Sequence, residues 1–278
     1  MSENKNTPLV SVLMAVYNCA DTLDEAIQTI LDQTYTNWEL ILFDDCSSDN
    51  TYSKCLEYAE KEPRIRAFKN EKNLTLAPTL NNCLKQAKGV YTARMDGDDV
   101  CDPTRFEKQV KFLNEHPEYA VVSCIMDVYD ENGVFGTIKF PEKPEKEFLG
   151  ITSPVCHAGC MMRKEILQEL GGYDTSEEIN RIEDYDLWFR LYKAGYKAYN
   201  IQEALYSMRD DRNALKRRSF KNRVNEYKLR VRICKAFKLP VKYRLMAFRP
   251  IILGFLPAFV YTALHKRNSK QQSYNDKT

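Results

Sequence analysis

The most apolar part of the C-terminal region, Ile251 to Leu264, runs for fourteen residues without a charge. That is short of the roughly twenty residues a bilayer-spanning helix needs. Met1 to Pro8 is polar and has no apolar core, so no secretory signal is expected at this end. The nine cysteines are odd in number and irregularly scattered, unlike the framework of a small secreted disulfide domain, and a reducing cytoplasm is the expected home. Cys156-His157-Ala158-Gly159-Cys160 offers half a zinc site, but no second Cys/His pair at suitable spacing completes it. No internal repeat or low-complexity tract is present. After the first apolar run, where a nucleotidyltransferase would want a Gly-rich loop bearing Lys or Arg, the chain has Tyr17-Asn18-Cys19-Ala20.

What is present is a soluble-type composition, 44% hydrophobic and 29% charged over 278 residues, enough for an α/β core with an appendage. The net charge of +2 conceals a strong asymmetry. Residues 1 to 211 carry 23 Lys and Arg against 37 Asp and Glu, whereas residues 212 to 278 carry 18 against 2. A basic segment of this kind suits an anionic partner, nucleic acid or a lipid headgroup layer. The tail has no recognisable nucleic-acid reading motif, and such a partner would leave the acidic clusters described below unexplained, so no nucleic acid is expected.

Val10 to Val16, Trp38 to Phe43, Ile65 to Phe68 and Val90 to Met95 are short, largely apolar runs that read as strands. Between them, Leu23, Ile27, Ile30 and Leu31 recur at helical spacing, and Tyr52 to Tyr58 and Thr79 to Ala87 read as helices. This alternation predicts a mostly parallel sheet with helices on both faces and ligands beyond the strands' carboxyl ends. Further on come a helix over 103 to 115, strands over 121 to 129 and 134 to 140 around an Asp130-Glu131-Asn132-Gly133 turn, and a helix over 163 to 170. The helix over 184 to 193 is amphipathic, with Leu187, Trp188, Leu191 and Tyr192 on its inner face. A long basic helix is expected over roughly 214 to 237, before Pro240.

Two acidic clusters stand out. Met95-Asp96-Gly97-Asp98-Asp99 puts three carboxylates in four residues directly after a predicted strand. Such crowding is most economically relieved by a divalent cation. An EF-hand loop starting at Asp96 fails, because Cys101 stands where the turn needs Gly and Val100 cannot ligate. Asp44-Asp45 also falls at a predicted strand's carboxyl end and should face the same crevice. The second cluster, Glu183-Asp184-Tyr185-Asp186, opens a helix, where the dipole favours a carboxylate anion suited to act as a general base.

Val10 to Asn18 with Gln33-Thr34-Tyr35, Asp44 to Thr51, Ala93 to Asp99 and Glu183 to Trp188 together resemble the family 2 glycosyltransferases of GT-A fold. The likeness is nearest to bacterial enzymes that build capsular, exopolysaccharide or O-antigen units, and it covers roughly residues 8 to 210. It implies a GT-A domain over 8 to 211 and a basic helical extension over 212 to 278. It further implies that Ala15, Val16 and Tyr17 line the base pocket, that Asp45 hydrogen-bonds the base, and that Asp96 and Asp98 hold Mn2+ or Mg2+ against the donor diphosphate. Asp98 is the more direct metal ligand, Asp96 also serves the ribose, and Asp99 is in part structural. Asp184 resembles the catalytic base, with Glu183 and Asp186 expected to orient it or to cap the helix. Within Tyr206 to Asp211, where relatives carry a lid over the donor, Arg209 is a phosphate contact or a surface ion pair; His157 stands where relatives have a His beside the acceptor or is a core histidine, and Trp188 is also expected at the acceptor.

The chain departs from the family where many members have Asn-x-Gly, for here it reads Asn73-Leu74-Thr75-Leu76. It also lacks the Gln-x-x-Arg-Trp motif of processive synthases, which argues for single-sugar transfer. The expected reaction is inverting transfer from a nucleotide sugar, most often a UDP-sugar in this family, to a polyprenyl-diphosphate-linked glycan. The site of action would be the inner face of the plasma membrane. Arg244 and Arg249 before the uncharged run, and Lys266, Arg267 and Lys270 after it, suit an interfacial anchor on an anionic membrane surface.

Overall fold

The computed structural model describes residues 7–210 and 219–255. It opens with β1 (Val10–Val16), α1 (Leu23–Leu31), β2 (Trp38–Asp44), α2 (Thr51–Lys61), β3 (Ile65–Lys69), α3 (Leu76–Gln86) and β4 (Tyr91–Arg94). The strands β3, β2, β1 and β4 lie side by side in parallel register. β2, β1 and β4 are buried on both faces, which is why they read as largely apolar runs instead of alternating ones, whereas the edge strand β3 is only partly buried. Along β1, Val10, Val12, Met14 and Val16 enter the core layer under α1, whereas Leu13 enters the opposite layer with Leu80 and Leu84 of α3.

Beyond β4 the sheet changes hand of pairing. The elements that follow are β5 (Val100–Cys101), α4 (Arg105–Glu115), β6 (Tyr119–Asp130), β7 (Gly133–Ile138), a short 3-10 turn (Lys146–Gly150), β8 (Met161–Arg163), α5 (Lys164–Glu169), α6 (Glu183–Lys193) and β9 (Lys197–Arg209). β8 is antiparallel to both β4 and β6, the expected β6–β7 hairpin forms at Asp130–Gly133, and β9 runs parallel to β6. β9 is the longest strand absent from the sequence reading, which treated residues 206 to 211 as a lid position; the short strands β5 and β8 are absent from it as well. Its register against β6 slips between Tyr119 and Val121 and again on either side of Ile125, so its polar and apolar residues never settle into a period of two.

The expected long basic helix is α7 (Phe220–Ala236); the residues expected to begin it, 214 to 218, lie outside the described part. Leu229, Ile233 and Cys234 of α7 enter the same core layer as α3 and α6, and Arg230 donates to the Ile151 carbonyl at 2.5 Å. Two short helices, α8 (Val241–Met246) and α9 (Arg249–Gly254), complete the described chain. The uncharged run Ile251 to Leu264 lies outside the described residues from 256 onward. Among the described residues no helix is long and apolar enough to cross a membrane.

At the amino-terminal end of the parallel strands, Gly89 allows two backbones to approach. A Cβ there would stand 2.4 Å from the Leu9 carbonyl oxygen and 2.8 Å from the Ser11 nitrogen. The Gly89 amide also donates to Ser11 Oγ, which in turn donates to the buried Glu39. Gly89→Ala is expected to lower stability by about 2 kcal/mol or more, since backbone must move to admit the methyl group. Urea denaturation of wild type and variant measures it, and an unchanged midpoint would contradict the packing described.

Candidate active site

The carboxyl ends of β1, β2 and β4 meet at one edge of the sheet. The Asp45 amide donates to the Val16 carbonyl at 2.8 Å and the Met95 amide to the Leu13 carbonyl at 3.3 Å. The loops that follow are laced together: Asn18 N to Ser47 Oγ, Cys19 N to Thr51 Oγ1 and Ser48 N to Asn18 Oδ1, each 2.9 Å. Asp45 and the Asp96–Asp99 turn are therefore neighbours at a single crevice. Of the three residues expected to line the base pocket, Ala15 and Tyr17 keep exposed surface. Val16 does not: its side chain is buried beneath Gly97, because alternation along β1 turns it into the α1 layer.

Asp45 is also more enclosed than a simple base contact. Its carboxylate accepts Asn70 Nδ2, the Leu74 amide and the Thr75 amide, all at 2.8 Å. Three of about four acceptor sites are thus filled, leaving room for one further donor. The bonds tie down the loop into α3, where Thr75 takes φ +75° and ψ 176°. That is a glycine conformation, and it falls in the segment where the family often carries Gly.

The acidic turn is held from behind. Arg94, 2% exposed on β4, pairs with Asp96 Oδ1 and donates to the Met95 carbonyl. Arg105, fully buried at the start of α4, donates to the Arg94 carbonyl at 2.7 Å. Tyr206 of β9 accepts the Asp96 amide at 3.3 Å and donates its hydroxyl to Asp99 Oδ2 at 2.7 Å. The Arg209 amide donates to Asp99 Oδ1 at 2.8 Å, its Nε donates to the Asp98 carbonyl at 3.1 Å, and its guanidinium pairs with Glu25. Arg209 therefore ends a strand beside the acidic turn, with its side chain in an ion pair. Gly97 seats the turn on β1: a Cβ there would meet Val16 Cγ1 at 2.8 Å and Cys19 Sγ at 2.9 Å. Thr22 Oγ1 donates to the Gly97 carbonyl at 2.9 Å.

Burial first, then the charges of Asp96 and Asp98, push the Asp99 carboxyl up to about 8. Among the described residues no group of three or more acidic, His or Cys side chains converges on a metal position. An all-oxygen set of one or two carboxylates completed by phosphate oxygens is the usual holder of Mg2+ or a similarly hard cation. The residues present fit that arrangement.

Across the crevice, α6 begins at Glu183, with Asp184 half-buried in its first turn. Glu183 lines a cleft of about 210 Å³ together with Leu74, Thr75, Pro78, Asp174 and Asn180. Burial, then the neighbouring Asp184, push the Glu183 carboxyl above its ordinary value. Asp186 turns back to Arg190 Nε at 2.6 Å. The loop that bears Asp45's partners and the start of the Asp184 helix therefore face each other across that cleft.

Trp188 does not join them. It is fully buried, packed edge-on to His157 with ring centres 6.0 Å apart, and stands behind the site instead of offering a face to an acceptor. His157 Nε2 bonds the Tyr173 hydroxyl at 2.9 Å, and burial, aided by the Arg94 charge, holds its pKa well below the ordinary value, so the ring is neutral. The sequence reading missed Arg94, Tyr206, Asn70 and Tyr173. Only Arg94, a charge inside a short strand that runs into an acidic cluster, carried a usable signal.

The profile of the family described as Glycosyl transferase family 2 matches residues 11–171. The chain is a family 2 glycosyltransferase. It is 44% identical over 266 residues to the Bacillus subtilis protein named glycosyltransferase EpsE, covering 95% of this chain and 96% of that one. It is 31% identical over 218 residues to the teichuronic acid biosynthesis glycosyltransferase TuaG of the same organism, covering 77% and 84%. Two solved structures share the GT-A fold of this glycosyltransferase. Staphylococcus aureus TarS in complex with UDP-GlcNAc gives TM-score 0.70 at 18% identity, covering 86% of this chain and 72% of that chain. The Pyrobaculum calidifontis mannosyltransferase PcManGT in complex with GDP-Man and Mn2+ gives 0.64 at 20%, covering 98% and 83%.

Two substitutions test this geometry in the glycosyltransferase. Tyr206→Phe leaves buried Asp99 without its hydroxyl donor and is expected to cost about 1–3 kcal/mol, read by urea unfolding; no loss would show that the bond does not hold the turn. Thr75→Gly relieves a strained conformation worth about 1–3 kcal/mol, against roughly 0.5–1 kcal/mol of added backbone entropy. A raised thermal midpoint is expected, and a lowered one would contradict the strained φ.

Proposed function

We propose that this glycosyltransferase moves one sugar, with inversion at the anomeric carbon, from a UDP-sugar to a polyprenyl-diphosphate-linked glycan in surface polysaccharide biosynthesis. In this reading residues 8–211 carry the chemistry, and residues 212–278 keep the enzyme at the cytoplasmic face of the membrane. The observation that carries the proposal is a convergence at the strands' carboxyl ends: the acidic turn after β4 and Asp45 after β2 flank the end of β1, and the loop that Asp45 holds faces the first turn of α6 across one cleft. The UDP-GlcNAc bound in TarS and the teichuronic acid role in TuaG's name support the donor and the pathway class.

The division of labour follows from the positions. Tyr17 and Ala15 border the nucleoside, and the acceptor site left on Asp45 takes one N–H of the base. Asp98, with Asp96 beside it, would hold Mn2+ or Mg2+, whose charge would offset that of the departing nucleoside diphosphate. Arg94 keeps Asp96 oriented, and Arg209 stands ready at the phosphate side once Glu25 releases it. Asp184 takes the proton of the acceptor hydroxyl as its oxygen attacks the anomeric carbon opposite the leaving group. Glu183, raised by burial, sits next to it in the first turn of α6. Neutral His157 and buried Trp188 shape the wall behind the acceptor without touching it.

Release of free UDP from a panel of UDP-sugars, with Mn2+ and with a chelator, tests the reaction. Asp184→Asn is expected to lower kcat by about 10² to 10⁴ while leaving the donor's KM nearly unchanged, the mark of a lost general base. Full activity in that variant would remove Asp184 from its role. Failure to bind or turn over any nucleotide sugar would overturn the donor assignment.

A further inference from the structure

The C-terminal helices expose an apolar stripe that the chemistry above does not use. Val241, Leu245, Phe248, Ile252 and Phe255 are exposed by 67, 67, 47, 61 and 76%. Their spacing is four, three, four and three residues, the repeat of one helix face carried across α8 and α9. The bend between the two helices barely interrupts that face, since Ala247 and Phe248 both keep right-handed helical backbone. Single exposed apolar side chains are ordinary on a soluble protein, but a continuous row of large ones marks an interaction surface.

The stripe sits on a firm base. α9 crosses α7 closely, for a Cβ on Gly254 would come within 3.0 Å of Phe220 and Arg223. Phe248 packs tilted against Tyr227 with ring centres 4.8 Å apart, and Phe255 packs edge-to-face against Phe220 at 5.4 Å. On the other side, Tyr243 and Leu239 pack on Gly150.

The charges beside the stripe choose its occupant. Lys242, Arg244 and Arg249 are exposed next to the apolar row, and no carboxylate side chain occurs between residues 227 and 275. A second copy of this chain would set like charges against one another across a two-fold contact. A bilayer with anionic headgroups instead offers hydrocarbon to the apolar row and counter-charge to its basic border.

We propose that α8 and α9 form a docking foot for an anionic lipid bilayer, with Leu245 and Ile252 at the centre of the inserted face. This deepens the reading of a lipid-linked acceptor by naming the surface that holds the enzyme near it, and it depends on that reading only for its purpose.

The test uses the full-length chain. Co-sedimentation with phosphatidylcholine vesicles containing roughly a third phosphatidylglycerol is expected to capture the enzyme, and vesicles of phosphatidylcholine alone to capture about ten-fold less. Leu245→Asp/Ile252→Asp is expected to lower binding to the anionic vesicles about ten-fold or more. Neither residue lies in the catalytic crevice, so UDP release from the donor and the thermal midpoint should stay at wild-type values. Binding unchanged in the double variant, or equal binding to neutral vesicles, would overturn the proposal. So would a wild-type dimer that the double substitution converts to monomer, because a second copy would then be the occupant. Loss of vesicle binding with donor turnover intact separates failure of the foot from failure of the catalytic reading.

Discussion

Three carboxylates in the turn after β4 repel one another, and much of the surrounding architecture exists to hold them in place. Arg94 and Arg105 bring two buried guanidinium groups to the back of the turn, one on Asp96 and one on the backbone that carries it. From the far side of the sheet, β9 delivers Tyr206 and the Arg209 amide to Asp99. A turn assembled this way is preorganised: its carboxylates are fixed before any ligand arrives, and in the proposed reading a cation with a diphosphate would find them already in place.

The same economy appears at Asp45. A carboxylate buried at the end of β2 would be costly without donors, and Asn70 with two backbone amides supplies them. Those bonds in turn stabilise Thr75 in a conformation that its side chain disfavours, so the loop into α3 is shaped by the acid, not by its own sequence. In the proposed reading one group therefore serves both the fold and the nucleotide edge of the crevice.

Much of this was legible in the residues. The buried parallel strands show in the sequence as largely apolar runs, and the rule that ligands gather at strand carboxyl ends puts Asp45 and Asp96 to Asp99 at one edge from the sequence alone. What stayed hidden depended on register and on distance along the chain. β9 is a strand only because β6 accepts it through repeated bulges, and nothing local to Lys197–Arg209 announces that pairing. Tyr206 reaches an aspartate more than a hundred residues earlier. Trp188 followed its helical period into the core, where the pull of the family pattern had suggested an acceptor contact. Periodicity, the physical signal, was the better guide at that position.

Gly97 carries a consequence for what the crevice can accept. With no space for a side chain between it and the Val16 and Cys19 side chains at the end of β1, the acidic turn is seated directly on that strand's end, and Thr22 pins its carbonyl there. The gap between the turn and the end of β1 is then set by a glycine backbone against packed side chains, with no side chain of the turn's own to lengthen or shorten it. In the proposed reading the crevice works as a gauge of fixed span: a nucleoside monophosphate would touch one jaw and miss the other, whatever base it carried.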